Sequence, residues 1–540
     1  MHISRTARTL VCVLLLGTAF VQQSLPVSLA QDAPPEPPVV FNNAALKPET
    51  PGEPGGVNLE AIMPAFAASA GPAVVDVTLP PLDVAPLLRE DISQQQEMAS
   101  ARRIGVVRPL PVPVGLGGEV ASAGSLQSAA DGGTVWSVTI ESPEAKAIRV
   151  HLTGVSLPAG AWIVVYDSQH PQRQVGPYQT KDLYGETELW TASIFSSVVT
   201  VVLYTPPAAT TAAQATIAEI SHTYIDPSAW QETQQILGCH VDVNCRAAWR
   251  GDATAVAGLG AVGAAGVLFC SGALINDYDD ETFVGYFLTA NHCLNGGVTN
   301  VLATQANANT LEFYWLFQTN RCDGTVPNAV DVPRTTGGAD LISVQTQAAG
   351  NDHAFLRIRG EITPALTYSG WSTAHPGDGN GAFGIHHPAG TFKRFSGGTV
   401  VQLNANYWRT TWTDGATEPG SSGSPLFDSD HRIIGQLWGD FRRCPERPNP
   451  VNSDYGRFNV TYPLIERWLL IGGTIRVDRN YTGAEQGTPA QPFRTIGGAN
   501  GFAWNGAHIK IKPGSYNEAV TISRNVVLIA DGGPVVIGGP

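Results

Sequence analysis

A chain of 540 residues has room for about three or four domains. Only 14% of its residues are charged, while 58 are Gly and 39 are Pro, which favours a loop-rich, largely β architecture. The net charge of −14, with no run of alternating basic and aromatic residues, argues against a duplex-DNA binder, which needs basic stripes to displace phosphate counterions. Nucleic acid is not an expected partner.

In chain order, residues 1–30 read as an export signal. Arg5 and Arg8 precede an apolar run from Leu10 to Val21, and Ser28-Leu29-Ala30 supplies small residues for cleavage. The run is short of the ~20 residues that a bilayer needs. A second apolar stretch, Ala253 to Phe269, is interrupted by Gly and reads as buried strands and turns. The expectation is a secreted protein, or one held in the periplasm or at the cell surface, with no membrane span once the signal is removed.

Residues 31–129 form a Pro/Ala-rich leader, mostly extended, with a helix expected around Val84–Arg103. Over 130–226, segments such as TVWSVTIESP, AWIVVYD and VVTVVLY alternate apolar and polar residues with period two, predicting a β-sandwich accessory or pro-domain. Residues 236–470 carry the chemistry. From 474 to 540, short apolar strands recur between Gly-rich turns. That tail resembles the first coils of a pectate-lyase-like parallel β-helix, in which each coil buries its core only against a neighbour. It leaves a polysaccharide or surface contact open as a partner.

Within 236–470, three segments occur in the order FLTANHC, NDHAFLRI and TEPGSSGSP. His, Asp and Ser in that order match the chymotrypsin arrangement and not those of subtilisins or α/β-hydrolases. The Ser422 hydroxyl needs a base to become nucleophilic, and histidine, the side chain whose unperturbed pKa lies near neutrality, supplies one in His292. Asp352 would orient His292; Asp340 is the competing third member. The N–H groups of Gly420 and Ser422 form the expected oxyanion hole. His386 and His387 invite a metal reading, but strand neighbours point to opposite faces and no third ligand is evident. Neither a metal nor another cofactor is expected.

Outside the signal, the six cysteines (Cys239, Cys245, Cys270, Cys293, Cys322 and Cys444) all fall in this region. An even, localised set without CxxC pairs reads as disulfides and not as a zinc site.

GCHVDVNC, CSGALI, YFLTANHC, TEPGSSGSP, IIGQL and GIHHPAGTFKRFS make 236–470 resemble the bacterial lysyl endopeptidases, a branch of the chymotrypsin family. The resemblance implies a mainly β fold with a chymotrypsin-like double β-barrel. It also implies the pairs Cys239–Cys444, Cys245–Cys322 and Cys270–Cys293. Animal relatives carry an acid before the nucleophile, which pairs with a newly cut N-terminal amine. Here that residue is Ser421, as in the lysyl endopeptidase branch, which implies a different activation route. The branch carries its specificity acid in a segment resembling Ser-Asp-x-Tyr-Gly-Arg. This chain has Ser453-Asp454-Tyr455-Gly456-Arg457, one residue shorter, and a one-residue slip turns a side chain to the other face of a strand. Asp454 is the first candidate and Asp440 the second, with Trp438-Gly439 lining the pocket. The expectation is a trypsin-like serine endopeptidase acting on protein or peptide substrates after Lys or Arg. The alternative is a secreted adhesion or polysaccharide-binding protein with an inactive protease-like core.

Overall fold

The computed structural model describes residues 40–42, 74–94, 101–117, 123–225, 239–279, 282–296, 300–440, 451–522 and 524–538. The export-signal reading, Cys444 and most of the leader lie outside the described residues.

The period-two segments form strands of two facing sheets. One contains Thr134–Glu141, Val198–Thr205, Trp162–Asp167 and His170–Tyr178; the other contains Arg102–Leu116, Gln214–Thr223 and Ala147–Ser156. Their inward residues, among them Val138, Ile140, Val150, Val165, Val201 and Ile217, are completely buried in one cluster. At about 25 cal/mol per Å² of apolar surface, such burial is the main favourable contribution to this unit.

The strand Arg102–Leu116 departs from the expectation of a mostly extended leader. It pairs along Gln214–Thr223 on one side, whereas only its first residues pair with a neighbour on the other. That open edge tolerates Pro109, Pro111 and Pro113, which cannot donate to a ladder. The expected leader helix ends earlier, as Val84–Gln94.

Residues Arg102–Gly105 pair with Val267–Phe269 of the next unit, so one sheet runs from the N-terminal part into the region bearing the chemistry. Gly105 permits the junction: a Cβ there would lie 2.6 Å from the His222 carbonyl oxygen and 2.9 Å from Val267. Beside it, the buried Glu312 carboxylate accepts hydrogen bonds from the Ser193 N–H and hydroxyl, both at 2.7 Å. Burial pushes the pKa of Glu312 up, but Arg149, Arg334 and Ser193 outweigh burial and hold it below its ordinary value. A small pocket lined by Arg149, Phe195, Phe269 and Tyr314 among others lies at this junction.

Further along, Val256–Gly263, Gly266–Leu274, Tyr286–Ala290, His353–Ile358 and Ala339–Val344 pair around Phe287, Phe313, Trp315 and Leu356. The Ala253–Phe269 stretch is thus strand and turn after a short helix, as its Gly content suggested. No helix among the described residues is long and apolar enough to cross a membrane. Six later strands close a barrel: Arg394–Gln402, Gly381–His386, Pro425–Phe427, Ile433–Asp440, Val451–Arg457 and Tyr407–Asp414, the last returning to the first. Trp408, Trp412, Leu426 and Tyr455 fill it. The indole N–H groups of Trp408 and Trp412 are satisfied by the Ile434 carbonyl and the Ser453 hydroxyl.

In the tail, Thr474–Val477, His508–Ile511 and Val527–Ala530 pair in parallel, with Ile475, Ile509 and Leu528 in register. The tail packs on the preceding unit: the Arg357 guanidinium lies 4.1 Å over the Trp504 ring and 5.6 Å over Trp468.

Candidate active site

Antiparallel pairing brings the first two predicted residues together. Ala290 ends one strand opposite His353, which begins the next, so the residues just beyond, His292 and Asp352, become neighbours. His292 Nδ1 lies 2.6 Å from Asp352 Oδ2, and the Asn291 N–H donates to the Asp352 carbonyl at 2.9 Å. Asp352 has a φ of +58°, left-handed backbone that Asp tolerates better than most residues. Flanking it, Asn351 donates to the Arg457 carbonyl and the Thr461 hydroxyl, both at 2.8 Å, and its own carbonyl accepts from Gln436. The six-stranded barrel and the helix after it, Phe458–Ile471, therefore hold the turn that presents Asp352. Asp340, the competing acid, faces Arg357 and Arg359 instead.

His292 and Asp352 are fully buried, and Ser422 is 3% exposed. Burial pushes the Asp352 carboxyl above its ordinary value, with His292 opposing the rise. Among the described residues, His292 Nε2 has no hydrogen-bond partner, leaving that nitrogen available to a hydroxyl proton.

The loop at Ser422 is clamped through its carbonyls. Pro419 O accepts from the Ala389 N–H at 2.7 Å, and Ser421 O accepts from the Ser424 N–H at 3.0 Å. Because a trans peptide points its N–H opposite its C=O, these bonds turn the N–H groups of Gly420 and Ser422 away from Ala389 and Ser424 respectively. Gly420 needs its φ of +98°, and a Cβ there would sit 2.6 Å from the Gly390 nitrogen.

Ser271, to which sequence reasoning assigned no role, ties this loop to the strand Gly266–Leu274. Its N–H donates to Ser422 O at 2.8 Å, its hydroxyl donates to Gly420 O at 2.9 Å, and that hydroxyl accepts from the His387 N–H at 3.0 Å. The CSGALI segment, which carries part of the family resemblance, contains it. His386 and His387 have different partners. His386 reaches the Ser421 and Ser396 hydroxyls, and His387 donates to the Thr391 carbonyl at 2.8 Å. Burial pushes His387 down to about 3, so it is neutral.

Cys270–Cys293 and Cys245–Cys322 are disulfides, the first joining the strand of Ser271 to the turn of His292. The sulfur atoms beside His292 are thus bonded to each other. The pairing of Cys239 with Cys444 involves a residue outside the described set.

The predicted pocket residues are arranged differently from one another. Trp438 packs on Tyr407 with ring centroids 5.6 Å apart, and Gly439 pairs with Asp454. Both carboxylate oxygens of the buried Asp454 accept from Arg409, its cross-strand neighbour. Ser453, one residue earlier and on the other face, is the side chain that meets Thr417 in the stretch leading to Ser422, at 2.7 Å. The second candidate, Asp440, pairs with Ser453 through its backbone.

Comparison with known proteins adds to this geometry. Residues 235–456 match the family model for the lysyl endopeptidase C-terminal domain, and residues 78–224 match that for the lysyl endopeptidase N-terminal domain. The matches support the lysyl endopeptidase family. A lysyl endopeptidase of Pseudomonas aeruginosa is 29% identical over 217 residues, which is 38% of this chain and 44% of the relative. The chain thus matches less than half the length of that curated relative. Among solved structures, a scabies mite inactivated protease paralogue is 14% identical, covering 40% of this chain and 94% of its own, with a TM-score of 0.28. The active form of a Mycobacterium tuberculosis protease is 13% identical, covering 42% and 84%, also with a TM-score of 0.28. These two scores are too low to carry an argument. The family matches support a protease with peptide substrates, and they start at residue 78, inside the expected leader. They do not extend to the tail, and its likeness to a pectate-lyase-like coil has no support from them.

Proposed function

We propose that the chain is an exported serine endopeptidase that works through Ser422, His292 and Asp352. The observation that carries this reading is the 2.6 Å contact between His292 Nδ1 and Asp352, which leaves Nε2 as the proton acceptor. His292 removes the Ser422 proton as the hydroxyl oxygen attacks the scissile carbonyl. The Gly420 and Ser422 N–H groups bind the resulting oxyanion, and His292 then passes the proton to the departing amine. Water, activated by the same imidazole, hydrolyses the acyl-enzyme.

We propose further that cleavage follows Lys or Arg, with Asp454 as the P1 acid. On this reading a P1 cation displaces Arg409, which is 32% exposed at the side chain. The adhesion-protein alternative is not favoured by a buried His–Asp pair beside a serine loop. Labelling with a fluorophosphonate, compared between the wild type and Ser422→Ala, tests the central claim. Labelling is expected only in the wild type. Labelling that survives in the variant, or is absent from folded wild type, overturns the assignment.

A further inference from the structure

Ser421 replaces the acid that precedes the nucleophile in animal relatives, so something else must hold the oxyanion loop. Three observations meet at its hydroxyl. Ser421 is completely buried, and its oxygen accepts the Glu418 N–H at 3.0 Å, closing the turn that contains Gly420. His386 Nδ1 lies 2.8 Å from the same oxygen. On the far side of the ring, His386 Nε2 lies 2.9 Å from the Ser396 hydroxyl, and His386 and Ser396 are both completely buried.

Donor counting selects one arrangement. The Ser421 oxygen accepts from Glu418 and its proton needs an acceptor, which His386 Nδ1 supplies, so the Nε2 proton goes to Ser396. A neutral imidazole satisfies every group in this chain. An imidazolium would point a second donor at Ser421 and leave the serine proton without that acceptor. The ring is also rooted in the barrel, at the end of Gly381–His386, whose partner strand carries Ser396. A second histidine stands beside the same turn: His240 Nε2 lies 3.5 Å from Glu418, and its ring is edge-on to His386 at 6.5 Å.

We propose that His386 is a positioning residue for the oxyanion hole, holding Ser421, and with it the Gly420 and Ser422 N–H groups, through a neutral Ser396–His386–Ser421 hydrogen-bond chain. The chain stands where animal relatives place an ion pair, so the hole needs no new N-terminal amine. His386 touches no substrate; it acts through Ser421. This inference rests on the serine-protease reading.

The test is turnover per active site, with sites counted by fluorophosphonate labelling, in His386→Ala, His386→Asn, Ser421→Ala and the His386→Ala/Ser421→Ala double variant. Removing one oxyanion donor costs about a hundredfold or more in kcat. Misplacing the donors is expected to lower kcat per labelled site by at least about tenfold in His386→Ala and in Ser421→Ala, with KM changed by less than about threefold. His386→Asn, whose side-chain oxygen can take the place of Nδ1, is expected to recover part of the loss. The double variant should be no worse than the poorer single one, because either change breaks the same chain. Wild-type turnover per labelled site in both single variants, a loss confined to KM, or losses that multiply in the double variant would overturn the proposal. If His386→Ala does not fold, Ser421→Ala and His386→Asn still decide it. Absence of labelling in the folded wild type would instead remove the serine-protease reading itself.

Discussion

Arg409 holds both carboxylate oxygens of Asp454, at 2.8 and 2.9 Å, across two paired strands. Burying a carboxylate without a partner costs several kcal/mol, so some cation has to be there. If a P1 Lys or Arg takes that place, Asp454→Ser abolishes cleavage after Lys and Arg while fluorophosphonate labelling persists. Arg409→Ser, by removing the competitor, raises kcat/KM for the same substrates. A peptide panel with Lys, Arg and neutral P1 residues measures both. Loss of basic specificity in Asp440→Ser with a silent Asp454→Ser assigns the pocket to Asp440 instead.

Asp352→Asn keeps the size of the side chain but presents an amide to His292, favouring the wrong tautomer. The kcat is expected to fall by about 10⁴-fold, as in triads of this type. The kcat/KM of both proteins on the same peptide substrates measures the loss, and a variant within about tenfold of the wild type would remove Asp352 from the proposed triad.

Lys393 is the single lysine between residues 236 and 470, and it is completely buried. Its ammonium donates to the Ala253 carbonyl and the Gln318 side chain, and burial pushes it down to about 7 from 10.5. The folded protein therefore binds fewer protons than the unfolded chain between those values, so stability rises with pH across that window. Denaturant melts of the wild type and Lys393→Met at pH 6 to 10 should show a rising difference in the wild type that the variant lacks. Equal slopes in the two proteins would mean that Lys393 is not depressed. The burial also keeps this lysine from any lysine-cutting enzyme.

Maturation offers a further test. No Lys or Arg occurs between Lys181 and Arg246, and Lys181 lies in a turn of the N-terminal sheet unit. Arg246 directly follows Cys245, which is bonded to Cys322. An enzyme that cuts after basic residues cannot release its own catalytic region near residue 237. The mature N-terminus is expected to be the same in the wild type and Ser422→Ala. An N-terminus within 230–240 that appears only when Ser422 is intact would mean self-cleavage at a non-basic residue, and the Lys/Arg assignment would fall with it.

The chemistry was legible in the sequence because it is carried by short segments. TANHC, NDHAF and GSSGSP each hold one side chain of the proposed triad next to the residues that shape its own turn, so residue type and order are enough to find them. Strands of period two were legible for a similar reason, since alternation records which face is buried. What only the tertiary structure decided are relations between segments distant in the chain. Asp352 meets His292 while Asp340 is taken by Arg357 and Arg359, a choice made by strand register that no local pattern encodes. The Pro-rich strand Arg102–Leu116 joins a sheet because one of its edges is largely unpaired, a property of its neighbours and not of its own residues. The face of Asp454, the grip of Ser271 on the nucleophile loop and the reach of His386 to Ser421 follow from barrel closure. Closure brings side chains tens of residues apart to hydrogen-bond distance, and a hydrogen bond depends on that distance, which sequence spacing does not contain.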